Sequence, residues 1–159
     1  MKVTNYSLSN REELERYILG TILITANNHL SISQHYNSNL KLLMYSHGYD
    51  SPEYFSIDFH KDVYQCILNC WENDITADII TVSAVKPVKY KKALNPNYFE
   101  VELSIMCNSI ANSAHLEWHL FILKQYIWID FWNNLANNIS MNFWDNRDVL
   151  TFNQNFLDR

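Results

Sequence analysis

Two pairs of potential metal ligands each have a four-residue spacing in this chain. Cys66 precedes Cys70 and His115 precedes His119, so on a helix each pair would present two ligands to one zinc ion. Cysteines four apart in a helix do not match the common structural zinc sites, and cysteine is often a buried core residue. The histidines and Glu117 also lack the metalloprotease pattern, in which Glu directly follows the first His. We therefore expect packed cysteines, surface histidines and no metal site.

The remaining polar residues do not indicate a catalytic site. A phosphate-binding loop needs two glycines flanking four residues and then Lys with Ser or Thr, whereas the chain has only Gly20 and Gly48, and neither precedes Lys. Glu12, Glu13 and Glu15 are interpreted as acids of a first helical turn, where the helix dipole favours negative charge. We predict no catalytic residue and no cofactor in this segment.

One basic cluster occurs in a chain whose formal net charge is −5. It consists of four lysines around Tyr90, namely Lys86, Lys89, Lys91 and Lys92. Non-specific electrostatic binding of nucleic acid requires a basic face, which this composition does not supply. We predict a solvated loop with little direct nucleic-acid binding, and a local phosphate contact is the alternative.

The sequence carries no secretory or membrane signal. The first twenty residues hold charges instead of an apolar core behind a basic start, and the three cysteines are an odd number. Glu117, Lys124 and Asp130 interrupt the most apolar stretch, which stays short of the ~18 uninterrupted apolar residues of a membrane span. We expect a soluble protein of the reducing cytoplasm, with no membrane partner.

Composition favours an all-α fold. Two Gly and three Pro in 159 residues are few for a β protein, which needs frequent turns. A chain of this length buries roughly 70% of its unfolded surface, which is enough for one stable core. The sequence therefore predicts a helical domain that folds without disulfides.

Helical periodicity is clear near the N-terminus. Asn10 with Glu13, or Ser9 with Glu12, offers a capping box before a helix that carries Leu14, Ile18 and Ile22. Gly20 within this helix costs about 1 kcal/mol relative to Ala, so it indicates a point where another backbone comes close.

Two further helices precede residue 75. An apolar cluster at residues 40–44 predicts a short helix before Gly48. Ser56 or Asp58 is predicted to cap the next helix, which ends at Asn73 and Asp74. Its apolar residues recur at spacings of three and four, as in Val63, Tyr64, Ile67, Leu68, Cys70 and Trp71.

The segment 79–85 is rich in β-branched residues and, read alone, would be a strand. Asp78 is a good N-cap, however, and Pro87 a good stop, so we predict a short helix over residues 79–86. Residues 86–97 are predicted to be a loop, and Asn97 precedes a further helix that contains Phe99, Leu103, Met106 and Ile110.

The most informative stretch is residues 115–139, which are predicted to form a long helix capped by Asn112 or Ser113. One apolar stripe comprises Leu116, Leu120, Leu123, Ile127 and Leu135. The other comprises Trp118, Ile122, Gln125, Ile129, Trp132, Ala136 and Ile139. One stripe can face the domain's own core, whereas the other would remain in water unless a second chain covers it.

The uncovered stripe is therefore a predicted dimer interface, with five residues as its best candidates: Trp118, Ile122, Gln125, Ile129 and Trp132. Gln125 would fix the register, as a lone polar residue does in coiled coils. A last amphipathic segment follows at residues 149–157.

In their order along the chain, several short motifs resemble the N-terminal domain of the DnaB-type replicative DNA helicase. The first contains Glu15, Ile18, Leu19, Gly20, Ile22 and Leu23, and the second Tyr54, Phe55, His60, Val63, Tyr64 and Ile67. Further matches are residues 78–82, Tyr98, Phe99, Leu103, residues 122–124 and residues 148–150. The chain departs from the family in its longer stretch 27–51 and in Asp130, where an Arg is common.

The resemblance implies a globular helical bundle followed by a C-terminal helical hairpin. The corresponding boundaries are a flexible N-terminus at 1–10, a helical globule at 11–111, and a hairpin with the start of a linker at 112–159. In that family, hairpins pair between subunits to build the collar of a ring hexamer, and the collar contacts primase and helicase loaders. A separate C-terminal ATPase domain binds ATP and Mg²⁺.

We thus expect a non-catalytic collar domain that acts in DNA replication by ring assembly and docking. The alternative is a free-standing helical adaptor that regulates a helicase or primase.

Overall fold

The computed structural model describes the backbone of residues 10–27, 33–110 and 115–145, with side chains over 10–26, 39–110 and 115–140. Within these ranges the chain is helical and contains no strand, which confirms the predicted all-α class. The helices are α1 Arg11–Asn27, α2 Ser33–Ser46, α3 Asp58–Glu72, α4 Ile79–Ala84, α5 Val88–Lys91, α6 Tyr98–Asn108 and α7 Leu116–Asp145, with a 3₁₀ helix at Pro52–Tyr54. No described helix is long and apolar enough to cross a bilayer.

Two compact units divide the chain, Met1–Leu123 and Lys124–Arg159. Helix α7 begins in the first unit and continues in the second. The predicted boundaries 1–10, 11–111 and 112–159 stay predictions. The N-terminal residues 1–9, the caps at Asn112 and Ser113, and the last amphipathic segment at 149–157 all lie outside the described residues.

Helix α1 lies at the centre of the first unit. The side chain of Asn10 accepts a hydrogen bond from the backbone N–H of Glu13 at 3.2 Å, which confirms the Asn10 cap. A Cβ at Gly20 would lie 2.6 Å from the carbonyl oxygen of Met106 on α6. The predicted close approach is therefore real, because only a residue without a side chain lets α1 and α6 meet here. Five aliphatic residues of α1 are fully buried: Leu14, Ile18, Leu19, Ile22 and Leu23.

Helix α3 packs its predicted face into the same core, with Val63, Tyr64 and Ile67 fully buried. The predicted capping residue is wrong, because Ile57 occupies the N-cap and makes no side-chain bond, while Asp58 is already in the first turn. The predicted end is confirmed, since Asn73 follows the helix and Asp74 has a positive φ of 54° that breaks the helical path.

Capping overrides β propensity at α4. The Asp78 carboxylate accepts from the backbone N–H of Thr81 at 2.8 Å, and the Thr81 hydroxyl accepts from the backbone N–H of Asp78 at 3.0 Å. The predicted helix is confirmed, although it ends at Ala84, two residues before the predicted end.

The helix predicted around residues 40–44 before Gly48 is confirmed, although α2 begins at Ser33, ends at Ser46 and is longer than predicted. The prediction for residues 86–97 is wrong. The predicted loop 86–97 contains α5, where the Tyr90 ring packs against Phe59 and Phe99 with centroid distances of 5.7 and 4.9 Å. Packing of an aromatic side chain thus stabilises a four-residue helix that has no capping side chain.

Candidate protein-binding surface on the last helix

The five predicted interface residues all lie on α7. Trp118, Ile129 and Trp132 are exposed by 60%, 55% and 57%, Gln125 is exposed and Ile122 is half-buried. Their alternating spacings of four and three place them in one line along a helix with 3.6 residues per turn. We call this line, extended by Ala136 and by the exposed Ile139, the seam. The described residues leave the seam open to solvent, and whether it is a dimer interface stays a prediction.

The side chains of the opposite stripe are buried in the first unit, whereas Leu135 in the second unit is exposed. Within Met1–Leu123 it is buried as predicted, because Leu116, Leu120 and Leu123 lie in the core. The Tyr49 hydroxyl donates a hydrogen bond to the carbonyl oxygen of Leu120 at 2.7 Å, which fixes the start of α7. Within Lys124–Arg159, Leu135 is 38% exposed, so its predicted place among the core residues is wrong.

An aromatic flank widens the apolar face. Phe121, Trp128 and Leu135 follow each other at intervals of seven residues and are all exposed. The rings of Trp118 and Phe121 stack with centroids 5.7 Å apart, and Phe131 packs edge-on against Trp132 at 5.6 Å. Large apolar side chains exposed in one patch are typical of a protein-binding surface and not of a catalytic cleft.

The cysteine pair lies in the core. Cys66 and Cys70 are buried, and the Cys66 thiol donates to the carbonyl oxygen of Val85 at 3.6 Å. Burial, with smaller effects of Cys70 and Asp62, raises the pKa of Cys66 to about 12. A thiol with such a pKa stays protonated at neutral pH and is a poor nucleophile. Among the described residues, no cluster of three or more His, Cys, Asp or Glu side chains is arranged to hold a metal ion.

The histidine pair lies at the start of α7. The ring centroids of His115 and His119 are 6.5 Å apart, and His119 packs edge-on against Tyr17 of α1 at 5.2 Å. Burial, and then the neighbouring His115, lower the pKa of His119. His119 is therefore partly a packing residue and not the surface histidine that was predicted.

Two of the four clustered lysines are ion-paired. Lys86 pairs with Glu100 and also donates to the carbonyl oxygen of Pro96 at 3.2 Å. Lys89 pairs with Asp62, whose carboxylate also accepts from the Tyr90 hydroxyl at 2.6 Å. These acids reduce the positive charge that the cluster offers to a phosphate.

The sequence interpretation of Glu15 is wrong. This residue is fully buried and lies beyond the first turn of α1, whose acids are Glu12 and Glu13. Its carboxylate bonds to Arg11 Nε at 2.9 Å, to the backbone N–H of Ser56 at 2.7 Å and to His60 Nδ1 at 2.9 Å. Burial raises the pKa of Glu15, but the hydrogen bonds from His60 and Ser56 outweigh burial and lower it overall. One feature of the sequence could have indicated this burial: Glu15 lies three residues before Ile18 and seven before Ile22, which places it on the same face of the helix as these core residues.

Comparison with known proteins gives one family. The sequence model of the family described as "DnaB-like helicase N terminal domain" matches residues 7–125. This range includes α1, Glu15 with its partners Arg11 and His60, and the first part of α7. No curated protein and no solved structure matches the chain. The match covers most of the chain and agrees with the all-helical fold. The chain therefore belongs to the family of DnaB-like helicase N-terminal domains.

Proposed function

We propose that this chain is a non-catalytic collar domain of a DnaB-like replicative helicase and acts in DNA replication in the cytoplasm. In this proposal, α7 pairs with α7 of another subunit during ring assembly, first as a dimer and in the full-length protein as a hexamer. The collar also docks primase or a helicase loader. ATP and Mg²⁺ would bind to the separate ATPase domain that the resemblance implies.

The exposed seam carries the proposal. Apolar side chains of this size in one line are costly to leave in water, and a second molecule can cover them. Trp residues are enriched among interface residues whose truncation costs about 2 kcal/mol or more. Trp118 and Trp132 are exposed on the same line of α7 and therefore supply two such anchors.

Solution mass tests the proposal. The wild-type chain should be at least dimeric at tens of micromolar, and Trp132→Asp should be mainly monomeric, because a charge in the seam would have to be desolvated. Leu42→Asp is the control, since Leu42 is an exposed apolar residue of α2 that lies outside α7. A monomeric wild type, or a Trp132→Asp variant that associates as well as wild type, contradicts the proposal.

Docking is tested separately. Crosslinking the wild-type chain to its cognate primase or loader, followed by mass spectrometry, should give crosslinks that competition with unlabelled chain removes. If neither protein yields a competed crosslink, the docking part of the proposal is wrong. The assembly part is decided by the mass measurement.

A further inference from the structure

A patch of basic and apolar side chains lies on α5, on the loop that follows it and at the start of α6. Its residues are Val88, Lys91, Lys92, Leu94 and Tyr98, and we call them the α5 patch. All of them are exposed, and Leu94 is completely so. Single exposed apolar residues are common on protein surfaces, but several of them beside lysines in one short segment indicate a binding surface.

The chain beneath the patch is held by packing and by hydrogen bonds. The Tyr98 ring stacks on the Tyr90 ring with centroids 6.3 Å apart. Lys86 Nζ donates to the carbonyl oxygen of Pro96 at 3.2 Å, and the backbone N–H of Tyr98 donates to the carbonyl oxygen of Asn95 at 3.2 Å. The loop is therefore tied to both flanking helices, so a partner would lose little binding free energy to ordering it.

The positive charge of the patch comes from Lys91 and Lys92. The neighbouring Lys86 and Lys89 are neutralised by their carboxylate partners, whereas Lys91 and Lys92 form no ion pair with the part of the chain that the structure describes. The chain as a whole has a formal net charge of −5 and repels acidic molecules. An acidic partner is thus attracted at these two lysines and disfavoured over most of the remaining surface.

From this combination we infer that the α5 patch binds a short acidic segment of another protein, in which carboxylates flank an aliphatic or aromatic side chain. The carboxylates pair with Lys91 and Lys92, and the apolar side chain packs on Val88, Leu94 and Tyr98. The patch is small, so the complex is transient, with a Kd on the order of 100 µM. The inference goes beyond the proposed function, because it uses neither α7 nor a second copy of the chain.

Nucleic acid fits the patch less well than an acidic peptide does. Phosphate binding draws on several cations, and two of the four clustered lysines are already paired. Val88 and Leu94 offer aliphatic surface, which does not stack on bases in the way that aromatic rings do. The Tyr98 ring is stacked on Tyr90, which leaves less of its surface for a base.

Fluorescence polarisation tests the inference with the labelled peptide Glu-Asp-Leu-Glu-Phe-Asp. This peptide should bind the wild-type chain, and its uncharged analogue Gln-Asn-Leu-Gln-Phe-Asn should bind at least about fivefold more weakly. Raising the salt from about 50 to about 300 mM should weaken binding of the acidic peptide several-fold, because exposed charges are screened.

Charge variants locate the binding site. K91Q/K92Q should weaken binding of the acidic peptide by about fivefold. K41Q/K61Q is the matched control, since it removes the same charge from α2 and α3 and should change binding by less than about twofold. K91E/K92E should reverse the preference and bind Lys-Lys-Leu-Lys-Phe-Lys better than the acidic peptide.

Apolar variants test the second half of the surface. Leu94→Ser should weaken binding by about tenfold, because it removes the aliphatic contact. Ile80→Ser is the control, since Ile80 is an exposed aliphatic residue of α4 outside the patch. Circular dichroism of each variant checks that the helices are retained.

The outcomes decide the inference independently of the proposed function. No binding of the acidic peptide by wild type at about 1 mM overturns it. Equal losses in K91Q/K92Q and its control, or in Leu94→Ser and its control, also overturn it. Tighter binding of an oligothymidylate of about twelve nucleotides would assign the patch to nucleic acid instead. All of these substitutions lie outside α7, so pairing through α7 is still decided by the solution mass.

Discussion

Nδ1 of His60 on α3 lies 2.9 Å from a carboxylate oxygen of Glu15 on α1, and both side chains are almost completely buried. Arg11 extends the contact by donating to Glu15 and, at 2.9 Å, to the carbonyl oxygen of Tyr54. Three polar side chains thus connect α1, the 3₁₀ helix and α3 within a mainly apolar core. Their energetic role gives the first prediction.

Glu15→Ala should lower the free energy of unfolding by about 3 kcal/mol, because it leaves Arg11 and His60 without their buried acceptor. Urea denaturation at neutral pH measures the change. Glu12→Ala is the control, since Glu12 makes only an exposed contact of 3.6 Å with Arg16 and should change stability by less than about 0.5 kcal/mol. Equal losses in the two variants would contradict the role assigned to Glu15.

Stability should also depend on pH through Glu15. Its pKa is lowered in the folded chain, because the hydrogen bonds from His60 and Ser56 outweigh burial. A lowered folded pKa means that this contribution is fully present above the unfolded pKa of about 4.3 and is lost as pH falls through the folded value.

Between pH 6 and pH 3 the urea midpoint of wild type should therefore fall more steeply than that of Glu15→Gln, which has no carboxyl group to titrate there. Identical pH profiles for the two proteins would show that Glu15 does not carry this dependence.

Gly20→Ala should destabilise the domain by about 1–3 kcal/mol, since the new Cβ would overlap the Met106 carbonyl on α6. The sign of the change in unfolding free energy is informative, because Gly→Ala in a helix with no neighbour against the glycine stabilises by about 1 kcal/mol. Thermal unfolding, with Ser104→Ala on the exposed face of α6 as control, tests this. A stabilised Gly20→Ala variant would mean that α1 and α6 separate at little cost.

Asp78→Ala should cost about 1 kcal/mol, because the backbone N–H of Thr81 loses its acceptor and the segment regains its β preference. Asp78→Asn keeps an acceptor oxygen and should remain close to wild type. Denaturation midpoints compare the two variants, and the prediction is wrong if Asn and Ala destabilise equally.

Helix positions were predictable where periodicity and capping agree. The face of α1 and the cap at Asp78 follow from local spacing, and the need for Gly20 follows from propensity. The buried role of Glu15 was not predicted, because its acceptor bonds go to Arg11 four residues away and to α3, 45 residues away. A first-turn interpretation uses only neighbours in sequence, whereas this carboxylate is stabilised by tertiary contacts.

The short helix α5 was not predicted for the same reason. Helix α5 depends on Tyr90 packing against Phe59 and Phe99, and no local pattern encodes that contact. The sequence does predict an exposed apolar surface on α7, because this helix has two apolar stripes and the core of its own domain can cover only one of them. Leu135 was assigned to the core by its spacing, but it is 38% exposed, whereas Leu116, Leu120 and Leu123 of the first unit are buried.

The distribution of indoles on this chain has an optical consequence. Trp71 is buried, whereas Trp118, Trp128 and Trp132 of α7 are each more than half exposed. Among the side chains that the structure describes, emission from the separate chain therefore combines one shielded fluorophore with three hydrated ones that iodide can reach, while Trp144, the fifth indole, lies outside the described side chains. Dilution of a concentrated sample should shift the emission to longer wavelength and increase quenching, so a fluorimeter can follow α7 without any added dye.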